Sequence, residues 1–471
     1  MKPSSYHGSD IFLPLSVTVG LSVDLVNFVV CQLTALCIAP IMYIYLPPKN
    51  QYYIILREIF GLLIGLNMAY ICFGYQMFHL ILLPSICYIV IITQNPNMIH
   101  KVVLLVCCLY LSLLHIYRQI YEYGSYTLDI TGPIMVMVQK ITALASGLHD
   151  GLVFGKKEQT DLQKRYMIRK TPLPLNYISY LLSFQTILAG PNAFFGDYMD
   201  FLKGTNFPEK LPKQAKSAPS PLLSVLKKLF YTFLCSLVIY FIVPMYPAST
   251  LTSETFLIET PLYSKIWFIF VITTLTRFKY YFAWTLADAV CNASGFGFSG
   301  YDDNGDQQWN LLDNIDIKGV EFGVNFRATI DAWNKGTNLW LRYVMYERAS
   351  PKYNTVLTYT LSAFWHGFYP GYYVTFLTGA LFTNSARMAR RCFWHRFQKS
   401  IPIKLAYDAV TILITRLSLA YMTFPFILLE LMPALRVYWY LKFYLHIMAL
   451  FAVYALPFMV PPLKTIRKKE Q

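Results

Sequence analysis

Apolar runs close to bilayer length recur along almost the whole of this 471-residue chain, and they restrict its fold more than any other feature. A hydrocarbon core about 30 Å thick is crossed by a helix of roughly 20 consecutive apolar residues. Runs of that kind lie at 25–46 and near 59–74, 76–93, 102–117, 174–192, 229–246, 261–276, 278–294, 354–369, 371–386, 407–430 and 436–460. Lipid offers no hydrogen bonds, so each run must satisfy its own backbone, and a helix does so within one segment. The expectation is an all-α, polytopic membrane helix bundle with about twelve spans. Composition agrees: 56% of residues are hydrophobic and 14% charged, against about a quarter charged in soluble domains. The first run is too long for a signal-peptide core and is read as an uncleaved span. The chain is read as one membrane domain, 1–471, with a short cytosolic tail at 461–471.

Net charge is +15, and the basic residues collect in short gaps between apolar runs, at 156–170, 203–228 and 387–404. Short basic loops favour the cytosolic side. No stretch is long enough to fold into a water-facing basic domain, so nucleic acid is excluded as a partner and anionic lipid head groups are favoured. The nine cysteines lack metal-ligand spacing and read as small buried hydrophobes; no metal is expected. Pro84, Pro191, Pro425 and the break between Gly367 and Gly371 interrupt the runs. Broken backbone at membrane depth is tolerated where protein or a water-filled cavity satisfies it, so a cavity inside the bundle is expected. Near the end of the sequence, Lys468 and Lys469 resemble a dilysine retrieval tail, a receptor-read address of the endoplasmic reticulum; a plain basic juxtamembrane segment reads equally well.

The longest segment outside the runs, about 296–350, mixes polar and aromatic residues and is the expected catalytic region. Within it, Trp333, Leu339, Trp340, Tyr343 and Val344 fit one face of an interfacial amphipathic helix, with Asn334 among its polar residues. Of the eight histidines, His366 in SAFWHGFYPGYYVTF stands apart. An ionisable side chain inside an apolar run marks a functional site, and Gly367, Pro370 and Gly371 follow it at once, allowing a helix break and close approach of a ligand. His115 and His446 have no such neighbours and read as hydrogen-bonded structural residues. Gly295, Gly297 and Gly300 spell GxGxxG but follow a helical run instead of a β-strand, which fails the context test for dinucleotide binding. Asn292 begins a glycosylation sequon that closes an apolar run. No GxSxG or HExxH motif occurs, against a serine hydrolase or zinc protease.

Asn334 in a DAWN context and His366 in WHG resemble the Asn and His signature of the membrane-bound O-acyltransferase family. DITGPIMVMVQKITALASGLHDG (129–151), LAGPNAFFGDYMDFLKG (188–204), RFKYYFAWTLADAVCNASGFGFSG (277–300) and WHGFYPGYYVTFLTG (365–379) resemble its lysophospholipid branch. The resemblance implies about eleven spans enclosing an intramembrane catalytic tunnel, in a multi-pass protein of the endoplasmic reticulum membrane. It implies transfer of a fatty acyl chain from acyl-CoA, a co-substrate, to the free hydroxyl of a lysophospholipid, with no cofactor. His366 would be the general base. Asn334 would polarise the thioester carbonyl or orient His366, and the sequence leaves both roles open. Trp333, Trp365, Gly367, Pro370, Tyr372 and Tyr373 would line the substrate site, and Lys335 and Arg342 are candidate contacts for the CoA phosphates. Gly196 departs from the commonest wording of its segment, which leaves head-group choice open. A protein, sterol or diacylglycerol acceptor is the alternative within the superfamily, although the Asn lies in IDAWN instead of an FYxDWWN-type motif. A transporter is the non-enzyme alternative; it should show paired broken helices in related halves, and no such internal repeat is visible.

Overall fold

The computed structural model describes residues 6–125, 127–153 and 159–462. The dilysine pair, most of the tail and the start of the 156–170 loop lie outside these. Among the described residues the regular structure is helical apart from one short antiparallel hairpin, β1 (Gly300–Tyr301) and β2 (Gln307–Gln308), in register Gly300 to Gln308. In chain order the helices are α1 (Leu13–Val19), α2 (Val23–Ile44), α3 (Gln51–Phe73), α4 (His79–Thr93), α5 (Ile99–Tyr121), α6 (Thr131–Leu152), α7 (Asp161–Tyr166), α8 (Pro174–Leu182), α9 (Phe195–Lys203) and α10 (Leu222–Leu237). They continue with α11 (Glu254–Glu259), α12 (Leu262–Ala293), α13 (Ile317–Phe322), α14 (Phe326–Ala332), α15 (Lys335–Leu341), α16 (Asn354–His366), α17 (Pro370–Phe393), α18 (Ile401–Leu428), α19 (Leu431–Tyr440) and α20 (Tyr444–Tyr454).

Among the described residues, five helical stretches are long and apolar enough to cross a membrane: Val23–Ile44, Gln51–Thr93, Ile99–Tyr121, Leu222–Thr252 and Ile401–Leu428. Helices α19 and α20, bent by 81°, make a sixth if counted as one broken span. This makes a multi-pass membrane protein, and several of the twelve runs read off the sequence take another helical form. The runs 261–276 and 278–294 form the single helix α12 of 32 residues, about 48 Å long. The run 174–192 is helical only through Leu182 and then becomes irregular. The run 354–369 ends at His366 as a 13-residue helix, about 20 Å long. Hydropathy does not distinguish one long helix from two spans, or a helix from a buried irregular segment.

The chain contacts gather into two compact units. The first takes the described residues of 1–236, 280–314 and 335–349; the second takes those of 237–279, 315–334 and 350–462. In the first unit α6 is the inner helix, buried on nearly every side from Thr131 to Asp150. Its buried polar residues find partners, as burial demands. Lys140 donates to the Tyr180 carbonyl (3.1 Å) and the Thr186 hydroxyl (2.6 Å). On α3, Arg57 donates to the carbonyls of Met42, Leu46 and Phe201 at 2.8–3.0 Å. Short connecting helices are stopped and started by side chains: Thr160 and Gln163 form a reciprocal capping box on α7, a pairing that satisfies two otherwise orphaned amides.

In the second unit α17 packs against α16, α18 and α20. Its core joins Phe382 of α17 to Tyr421 and Phe424 of α18, Tyr438 of α19 and Leu445 of α20, with Phe256, Ile269 and Phe326 around them. His446 is tied at both ring nitrogens, to the Tyr421 hydroxyl (2.9 Å) and the Thr378 hydroxyl (3.1 Å), the structural role read for it from sequence.

Candidate active site

His366 is the last residue of α16, and Gly367 follows with φ 119° and ψ −167°. An L side chain rarely adopts that backbone, so glycine is what lets the chain turn out of the helix at the histidine. Three residues later Pro370 opens α17, where its fixed φ and missing N–H suit the first helical position. Gly371 then meets the end of α18: its N–H donates to the Leu429 carbonyl at 2.7 Å, and a Cβ there would lie 2.1 Å from the Pro425 carbonyl oxygen. The WHGxxPG wording is thus a helix end, a sharp reversal and a backbone-to-backbone contact.

The imidazole sits in an aromatic shell. Ring centroids of Trp365, Phe376, Phe426 and Tyr372 lie 4.6, 4.8, 5.3 and 5.9 Å from that of His366. Its Nδ1 lies 2.7 Å from the Ser362 carbonyl oxygen. A carbonyl only accepts, so Nδ1 carries hydrogen, and in the neutral ring Nε2 is then the nitrogen with the basic lone pair. The shell brings together the predicted Trp365, Gly367, Pro370 and Tyr372; Tyr373, half-buried, follows on α17. Sequence reading missed Phe376 and Phe426. Phe376 was within reach, ten residues beyond the histidine on the next helix, whereas Phe426 comes from a distant run and carried no signal.

Asn334 and Trp333 belong to the same unit as His366. The interfacial helix expected over this segment is interrupted at them: α14 stops at Ala332 and α15 starts at Lys335. Asn334 forms the corner, with φ 46°. Asparagine tolerates the left-handed region better than most side chains, so the residue type suits the corner as well as any chemistry. The predicted helical face fails because Trp333 is extended and Asn334 has reversed φ, which ends one helix before the next begins.

Buried charge supports this part of the second unit. Arg277 of α12 grips Glu321 of α13 through two nitrogens at 2.8 and 2.7 Å, a bidentate geometry that only a guanidinium offers. Arg416 of α18 donates to the Val320 carbonyl and the Thr329 hydroxyl. Asp316 and Asn325 cap α13 and α14 by accepting the amides of Gly319 and Ala328, each at 3.0 Å.

In the first unit, residues 335–348 are bolted to α6. Gln139 donates to the Thr337 hydroxyl and the Trp340 indole N–H to the Thr142 hydroxyl, both at 2.8 Å. Asp150 accepts from the Tyr343 hydroxyl at 2.9 Å and takes Arg348 at 2.9 and 2.6 Å. Burial, and then the adjacent Asp150 carboxylate, pushes the Tyr343 phenol up from its ordinary value, keeping it a donor. Of the two proposed CoA contacts, Arg342 is exposed and paired with Glu347 at 2.9 Å, and Lys335 opens α15.

The sequon and the decoy motifs resolve simply. Asn292 is fully buried and donates to the Ser224 hydroxyl and the Trp309 carbonyl. The GxGxxG glycines lead into the β1–β2 hairpin, outside any βαβ unit. Among the described residues no group of three or more His, Cys, Asp or Glu side chains is placed to hold a metal ion.

The sequence model of the membrane-bound O-acyltransferase family matches residues 115–424, a range that includes Asn334 and His366. The chain is 46% identical over 463 residues to lysophospholipid acyltransferase 6 of Drosophila melanogaster, covering 96% of this chain and 64% of the fly protein. It is 39% identical over 459 residues to membrane-bound glycerophospholipid O-acyltransferase 1 of Mus musculus, covering 96% of this chain and 93% of the mouse protein. A lysophospholipid acyltransferase of Saccharomyces cerevisiae is 33% identical over 378 residues, covering 73% of this chain and 60% of the yeast protein. The chain thus spans a little less than two thirds of the fly relative and nearly all of the mouse one.

Proposed function

Because the chain belongs to the membrane-bound O-acyltransferase family, we propose that it transfers a fatty acyl group from acyl-CoA to the free hydroxyl of a lysophospholipid, with His366 as the general base. The observation that carries this reading is the bond from His366 Nδ1 to the Ser362 carbonyl, which makes Nε2 the proton acceptor of a neutral imidazole. Acceptor names among the relatives support the substrate class.

The chemistry follows from the functional groups. A lysophospholipid hydroxyl is a weak nucleophile, so Nε2 takes its proton as the oxygen attacks the thioester carbon. The tetrahedral intermediate collapses with cleavage of the C–S bond, and the imidazolium returns the proton to the departing sulfur. The products are a diacyl phospholipid and CoA thiol, and no acyl-enzyme is needed because a thioester is already activated. General base catalysis of this kind supplies about 10²–10⁴-fold. The Asn334 carboxamide either donates to the thioester oxygen as charge develops or orients the imidazole; a donor to an oxyanion is worth about 10²–10³-fold. The rings of Trp365, Tyr372, Phe376 and Phe426 give the half-buried base an apolar surround that suits acyl chains.

We place the enzyme in the endoplasmic reticulum membrane, with acyl-CoA arriving from the basic, cytosolic side and both acyl chains held in an apolar tunnel. The test is CoA release from oleoyl-CoA in membranes expressing the chain, across lysophospholipids of different head groups. Release should depend on the lysolipid and fall at least about 10²-fold in His366→Ala at equal expression. Good expression with no release on any lysolipid would overturn the assignment and favour a protein or sterol acceptor.

A further inference from the structure

A helix normally begins on a residue in extended conformation whose own side chain accepts the first orphan amides. The residue before α15 is Asn334, and its φ of 46° departs from that pattern. The amides at the start of α15 are met instead by Asn314: its backbone carbonyl accepts Lys335 N–H at 2.8 Å and its side-chain oxygen accepts Gly336 N–H at 3.1 Å. One residue, Asn314, lying well upstream in the chain, therefore caps this helix from outside. Asn314 is 6% exposed, so its bonds are shielded from water. It is held in turn: neighbouring Asp313 is gripped by Lys228 at 2.8 Å, and Lys228 also bonds Asp288 and the Trp309 carbonyl. A Cβ on Gly336 would lie 3.0 Å from the Asn314 side-chain oxygen and 3.4 Å from Asn192, so the contact admits little slack.

We propose that Asn314 is the positioning residue for Asn334: by taking the two amides that immediately follow it, Asn314 fixes the left-handed corner and with it the placement of the carboxamide in the reaction. This rests on the assignment of Asn334 to catalysis made above. Asn314 is not placed on either substrate; it acts through its backbone carbonyl and side-chain oxygen on the amides of Lys335 and Gly336. Misplacing a catalytic group by about an ångström costs up to about 10²-fold in rate, whereas substrate binding elsewhere is untouched.

Two readouts on the purified full chain decide it. In the first, kcat and KM for acyl transfer are compared for Asn314→Ala, Asn314→Asp and Gly336→Ala. Asn314→Ala should lower kcat about tenfold or more with KM within about twofold; Asn314→Asp, which keeps an acceptor, should recover most of the loss. Gly336→Ala, which presses on the same contact from the other side, should reproduce the kcat defect. In the second, hydrogen–deuterium exchange at Gly336, whose acceptor is the Asn314 side chain, should be slow in wild type and Asn314→Asp and fast in Asn314→Ala, while Lys335, held by the Asn314 backbone carbonyl, should stay slow in all three. An Asn314→Ala enzyme with unchanged kcat, a loss carried by KM, or unchanged exchange would overturn the proposal. Wild type inactive on every lysolipid would overturn the reaction assigned above and, with it, the catalytic half of this one, while exchange would still decide whether Asn314 holds the corner.

Discussion

At the scale of single residues, two positions combine backbone and chemistry in ways that substitutions can separate. Asn334 occupies a left-handed corner, so an alanine there would confuse lost chemistry with a strained backbone. Glycine adopts the same φ without strain. Asn334→Gly should therefore keep the fold and melting temperature close to wild type while lowering kcat by about 10²–10³-fold; a glycine variant with full activity would reduce Asn334 to a turn residue. Asp197 is the second. It lies in the first turn of α9, in the segment whose wording leaves head-group choice open, and burial pushes its carboxyl up to about 6 against a partial opposing effect of Arg165. The folded state thus holds the proton more tightly than the unfolded chain, and the stability this adds is present at pH 4 and below and is lost as pH rises to about 6. The melting temperature of wild type should fall across that window relative to Asp197→Asn, and parallel curves would show that Asp197 does not titrate there.

At the scale of elements, the packing of helix ends decides the site. Gly371 lets the first turn of α17 rest on the last turn of α18, where even a methyl group would overlap the Pro425 carbonyl. Backbone cannot swing aside as a flexible side chain can, so Gly371→Ala should destabilise the protein by about 2 kcal/mol or more, read as a lower melting temperature. The shell around His366 should loosen with it, since Tyr372, Phe376 and Phe426 ride on those two helices. In the other unit, the polar face of α6 holds residues 335–348 through buried groups. Removing one partner of a buried ion pair strands the other charge, at a cost of about 3 kcal/mol. Asp150→Ala and Arg348→Ala should each show that loss in thermal unfolding, and the double variant should lose less than the sum by about 1 kcal/mol or more; simple additivity would mean the pair contributes nothing jointly.

At the scale of the whole molecule, this chain divides into two compact units. The unit built on α6 buries many polar and charged side chains: Arg57, Lys140, Asp150 and Asp288 are each less than a tenth exposed. The unit built on α17 has an aromatic core, with Phe382, Tyr421, Phe424 and Tyr438 at its centre. His366, Trp365 and Tyr372 belong to the aromatic unit, and the segments flanking Asn334 on its N-terminal side are fixed there by Arg277, Glu321 and Arg416. The segment on its C-terminal side belongs to the polar unit.

The fold class and the family were legible in the sequence. Bilayer-length apolar runs require helices because lipid cannot satisfy an exposed backbone, and a histidine followed by glycine and proline inside such a run announces a helix broken at an ionisable group. These are local properties, legible from neighbours in the chain. Only the tertiary structure decided how many runs are separate helices, that Asn334 is a corner instead of a helical face, that Phe426 completes the shell around His366, and that Asn314 caps the helix after Asn334. Each of these depends on residues brought together from distant parts of the chain: a buried run and a lipid-facing one have the same hydropathy, and a capping contact from well upstream leaves no periodic trace. Sequence records what each segment needs, and packing decides which distant residue supplies it.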